Sequence, residues 1–142
     1  MTEEHVVWRR IGATVLGVIV AALIVQCAEL IVHFMYPPPP GYNMRNMDDV
    51  KKFVATLPTL AMVVVLIGWL IGTLAGAFVA AKIGRSRVPA YIVGLFLFLG
   101  GVANATMIPQ PMWFSGASFV VYIGGAIAGA MLARPAVPSP PG

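Results

Sequence analysis

The chain has 142 residues, of which 59% are hydrophobic and 10% charged, with a mean hydropathy of +0.89 and a formal net charge of +4. This composition excludes an ordinary soluble domain and points to an integral membrane protein. It leaves too little chain outside the apolar runs for a separate soluble domain, and it supplies no basic surface domain for nucleic acid.

Residues 1–10 read as a short tail in which Trp8, Arg9 and Arg10 suit the headgroup region. The apolar run from about Ile11 to Tyr36 follows. About 20 apolar residues cross a hydrocarbon core of roughly 30 Å, so this run is expected to be the first of four spanning helices. An arginine pair before an apolar stretch also opens secretory signals. This run, however, is longer than their hydrophobic region and lacks a small-x-small ending, and Gln26 is too large to precede a lipid-modified Cys27. Cys27 is the lone cysteine, so an internal disulfide is excluded and a packing role is expected.

The end of the first run places ionisable groups inside hydrocarbon. Gln26, Glu29, His33 and Tyr36 lie at i, i+3, i+7 and i+10, which puts them on one helical face. Glu29 and His33 are one turn apart, close enough to hydrogen-bond and titrate as a coupled pair. An intramembrane carboxylate faces protein or trapped water, and it marks either a functional site or a packing lock.

Pro37-Pro38-Pro39-Pro40-Gly41 ends the first helix and continues as an extended strap. Residues 46–57 then carry the signals of a short helix: Asn46 or Met47 at the boundary, Asp48 and Asp49 in the first turn, Lys51 and Lys52 after them, Pro58 beyond. Its apolar positions Met47, Val50, Phe53, Val54 and Leu57 share a side. It is therefore expected to lie on the bilayer or to cover the mouth of the bundle.

The second span, about Pro58 to Ala81, steps Gly68, Gly72, Gly76 and Ala80 at intervals of four residues. The fourth, Trp113 to Ala133, repeats the device with Ala117, Val121, Gly125, Gly129 and Ala133, flanked by Gly124 and Ala128. Small-residue seams let helix backbones approach closely, so these two helices are expected to make the tightest contact. The third span, Val88 to Ile108, carries Asn104 about 7 Å inside its end, comparable with about 11 Å for Glu29. A proline-stiffened hairpin, residues 107–114, joins it to the fourth, which opens with Ser115 and Ser118. Residues 135–142 read as a disordered, Pro-rich cytoplasmic tail.

Charge orients the helices. With the N-terminus cytoplasmic, the inner side holds Arg9, Arg10, Lys82, Arg85, Arg87 and Arg134, against Arg45, Lys51 and Lys52 outside, so both termini are expected inside. The polar residues Gln26, Glu29, His33, Asn104, Ser115 and Ser118, with Thr59 nearby, then converge on one level of the outer half as a candidate ligand or proton site. No serine has a histidine and an acid arranged around it, and there is no phosphate-binding glycine loop. The two histidines, His5 and His33, fall on opposite sides, so neither a metal nor a cofactor is expected, and the chain reads as a non-enzyme.

In helix number and in one acid on the first helix the chain resembles the small multidrug-resistance transporters. It departs from them in the outer position of Glu29, the longer loop after it and the strong charge bias between the two sides. A closer resemblance rests on several features together: Glu29 and His33 before a proline break, the Asp48-Asp49 helix ending Leu57-Pro58, the glycine-stepped second helix, and the hairpin Ile108-Pro109-Gln110-Pro111-Met112-Trp113-Phe114. These features look like a group of small four-helix inner-membrane proteins of Gram-negative bacteria, a resemblance that implies fold and location and carries no activity.

The expectation is a single all-α domain over residues 1–134, a four-helix membrane bundle in a bacterial inner membrane. Its function is expected to be binding of a small or lipidic ligand, or of a partner membrane protein, through the outer polar cluster. Proton-coupled transport by a homo-oligomer, with Glu29 as the proton site, is the alternative.

Overall fold

The computed structural model describes residues 2–134, and these form five helices: α1 (Glu3–Met35), α2 (Met47–Thr56), α3 (Thr59–Gly84), α4 (Val88–Met107) and α5 (Met112–Ala133). All but α2 are long and apolar enough to cross a membrane. The expected tail at 135–142 lies outside the described residues. Helix α1 begins at Glu3, so most of the segment read as a tail is part of the helix. Glu3 and Glu4 in its first turn stabilise that end against the helix dipole.

Helix α3 is the hub. It packs most extensively on α1, then on α5, and also touches α4; α4 closes the ring by touching α1 and α5. The two glycine seams expected to meet each other use separate sides of α3. Gly68 and Gly76 face α1, where a Cβ on Gly76 would lie 2.5 Å from the Gly17 carbonyl oxygen and one on Gly68 would strike Ala28 Cβ. Gly72 faces the same helix at Ala21. Gly125 and Gly129 of α5 instead approach α3 at Thr73 and at the Leu74 carbonyl. The reason is geometric: a four-residue step runs along one helix face, and Gly17, Ala21 and Ala28 of α1 offer the matching smooth surface. Gly124, read as part of the α5 strip, is exposed with nothing near it.

The buried contacts change character along the bundle. Towards the α3–α4 turn they are made by small residues, Ala77, Ala81, Ala90, Ala130 and Ala133, which bring the helices close. That turn is itself tight: Ala81 O accepts from the backbone N–H of Arg85 and Ser86, with Arg85 in a left-handed conformation (φ 51°). Towards the proline strap the core is aromatic, with Leu66, Trp69, Phe114 and Tyr122 buried together. Trp69 stacks on Tyr122 at 5.6 Å and meets Phe114 edge-on at 5.4 Å. At this end α1 and α3 still touch at Ala28 and Gly68, but rings rather than alanines fill the core and a cavity opens above them, whereas the other end is narrow.

Helix α2 covers the open end. Asn46 caps it by accepting from Asp48 N at 3.0 Å, and Asp49 Oδ2 reaches back to Asn43 N at 2.9 Å, so the loop and the helix knit into one unit. No other helix comes close to it backbone to backbone. Asn46→Ala is therefore expected to fray α2 alone: hydrogen exchange should quicken at residues 47–50, by about 1 kcal/mol of lost protection, while thermal unfolding of the bundle stays unchanged. A matching fall in bundle stability would mean that α2 carries global stability.

Candidate functional site

Beneath α2 lies a cavity of about 320 Å³ to which all five helices contribute. Val50, Phe53 and Val54 of α2 form its roof, with Leu57 just past the helix end and Met44 beside them. These are the apolar positions the sequence pattern places on one side of that helix, except for Met47, which is exposed and does not line the cavity. The floor is Trp69 and Phe114, the top of the aromatic core, with Met62 and Val65 on the α3 wall. Into this apolar space point four polar side chains: Glu29 and His33 from α1, Asn104 from α4 and Gln110 from the α4–α5 hairpin.

Of the residues singled out from sequence, Glu29, His33 and Asn104 therefore do come together. The expected hydrogen bond between Glu29 and His33 does not form. Glu29 Oε2 instead accepts from Gln26 Nε2 at a long 3.4 Å. Helical side chains lean towards the N-terminus, which carries the Glu29 carboxylate back over Gln26 rather than up towards His33. Gln26 itself lies outside the cavity and lines a second space, one turn along the helix.

Ser115 and Ser118 do not reach the cavity. Ser118 is buried and donates to the Ser115 carbonyl oxygen at 2.7 Å, while Ser115 Oγ accepts from Gln110 Nε2 at 2.8 Å. Both hydroxyls satisfy local groups at the opening turn of α5, the usual fate of serine at a helix start. Their one link to the site is indirect, because the Ser115 bond holds the side chain of Gln110. Thr59, at the first position of α3, is exposed and likewise outside the cavity.

The residues that the sequence reading missed are aromatic. The indole Nε1 of Trp69 is buried without a well-formed hydrogen bond, and the carboxylate it interacts with is that of Glu29. Trp69 sits ten residues into α3, about 15 Å from the helix start, whereas membrane tryptophans ordinarily gather at the interface. An indole so deep needs an acceptor or a stacking partner, and that was the available signal. Tyr122 supplies the stack, and its ring presses on Gly101 of α4.

The arrangement suits recognition of a molecule with one polar end. Apolar and aromatic walls bury its body, while a carboxylate, an imidazole and two amides in the lining offer it polar contacts. Among the described residues no group of three or more metal-ligating side chains occurs. The chain matches no protein-family model, no curated protein and no solved structure.

Proposed function

We propose that this is a non-enzymatic membrane protein of a bacterial inner membrane, with both termini cytoplasmic, that binds a small amphipathic ligand in the cavity under α2. The observation that carries this reading is the pairing of a roofed, apolar cavity with Glu29, whose carboxylate has only a long hydrogen bond from Gln26 and a loose interaction with the Trp69 indole. A carboxylate accepts several hydrogen bonds, so one placed in apolar surroundings with most of that capacity unused is poised for a donor on a ligand. The close approach of α1 and α3 at Gly17 and Gly76, with Val93 of α4 beside them, favours a binding site over a path through the bundle.

Trp69 reports on the cavity directly. With Trp8→Phe and Trp113→Phe leaving it as the sole indole, titration of the protein in nanodiscs with n-butylamine and n-butanol is expected to give a saturable change in its fluorescence. Glu29→Leu should weaken that binding roughly 10- to 100-fold, the range for losing a hydrogen bond to a charged group. Its thermal stability should hold, because the carboxylate makes no short hydrogen bond within the bundle. No saturable response from any donor-bearing amphipath would sink the proposal.

A further inference from the structure

The cavity under α2, lined by all five helices, has a smaller neighbour beside it along α1 and α4. Near the narrow end α1 and α4 touch, with Gly17 against Val93. One to two turns further along, a space of about 200 Å³ opens between Ala22 and Gln26 on α1 and Gly100 and Gly101 on α4, backed by Tyr122. A turn beyond that, Glu29 and Asn104, on the same two helices, line the larger cavity.

Two contacts lie between the spaces, which share no lining residue. The Gln26 to Glu29 hydrogen bond spans them along α1, and the Trp69–Tyr122 stack forms the floor of one and the back of the other. Gly100 is exposed, and nothing lies within 4 Å of where its Cβ would be, so the wall of the smaller space on that side is open. The stretch from Ala22 to Glu29 covers about 10 Å of helix. Its lining is apolar apart from Gln26 and the hydroxyl of Tyr122.

We infer that the ligand is a single-chain lipid-like amphipath with a hydrogen-bond-donating head, seated with its head at Glu29 under α2 and its alkyl tail in the slot between α1 and α4. The inference rests on the binding reading above and adds the ligand's class and its route, since a slot open along a helix pair admits a chain sideways from the bilayer. The larger space holds Glu29, His33, Asn104 and Gln110, and its smaller neighbour is apolar apart from Gln26 and the Tyr122 hydroxyl, an order of groups that matches the polarity of such a molecule. A short donor-bearing molecule needs only the upper cavity. A long-chain one needs both spaces.

The test uses the sole-Trp69 protein in nanodiscs, with dodecylamine brominated in mid-chain as one probe and n-butylamine as the other. Bromine in the slot would lie against Tyr122 and hence close to Trp69, so saturable quenching is expected. Gly100→Leu and Ala22→Phe, plugs placed on opposite walls at exposed positions, should each weaken the long-chain amine at least tenfold and leave n-butylamine within twofold. Long-chain binding that neither plug alters would overturn the slot while leaving the cavity reading intact, as would n-butylamine binding without any saturable quenching by the brominated chain. Failure of both amines to perturb Trp69 would overturn the cavity reading itself.

Discussion

Gly76→Leu is expected to abolish the folded bundle. At the α1–α3 crossing the obstructing atoms are backbone: a Cβ on Gly76 would stand 2.5 Å from the Gly17 carbonyl oxygen, and one on Gly17 would stand 2.6 Å from that of Gly76. Neither helix can yield by changing a rotamer, so the pair must separate, and α3 is the element on which the other spanning helices assemble. Even Gly76→Ala should destabilise by about 1–3 kcal/mol, the usual penalty for overfilling a packed contact. Gly12, Gly116 and Gly124 provide the comparison, because their Cβ positions are empty. Alanine there should be neutral or stabilising by up to about 1 kcal/mol through backbone entropy. Thermal unfolding in one detergent reads the whole series, and equal behaviour of Gly76→Ala and Gly124→Ala would refute the close crossing.

Trp69→Ala is expected to have the next largest effect, a loss of about 3–5 kcal/mol in reversible unfolding, typical of removing a large buried aromatic. The ring is only 6% exposed and is held between Phe114 and Tyr122, so its removal would leave a void that rigid neighbours cannot fill. Trp69→Phe separates the two roles of the side chain. It keeps a ring between those neighbours and removes a buried N–H that has no well-formed hydrogen bond, so stability should change by less than about 1 kcal/mol beyond the lost ring volume. A mild Trp69→Ala phenotype would mean that the aromatic layer does not stabilise the open end of the bundle.

The four spans, the capped α2 and its apolar face were legible because each is written in local terms: runs of apolar residues, a cap followed by acids, a helical repeat. The convergence of Glu29 with Asn104 followed from matching depths along their helices. Side-chain pairing was not legible, since the spacing of Glu29 and His33 permits a bond but the lean of helical side chains decides against it. Depth also misled for Ser115 and Ser118, because level along a helix says nothing of the direction a residue faces. The α5 seam packs on α3 as its spacing suggests, but the α3 glycine seam meets α1, whose smooth face of Gly17, Ala21 and Ala28 lacks a conspicuous glycine repeat. The aromatic floor escaped notice because an isolated Trp69 between glycines carries no periodic signal.

Helix α1 has 33 residues and is therefore about 50 Å long, well beyond a hydrocarbon core of roughly 30 Å. Its apolar part, residues 11–35, covers about 37 Å, long enough to span with some tilt. Residues 3–10, ending in Arg9 and Arg10, extend the same helix by about 12 Å. No cap or break interrupts the helix between that extension and Glu29. One unbroken rod thus runs from Glu3 to the cavity wall at Glu29, Val32 and His33, so a force applied to its first turns is carried to that wall.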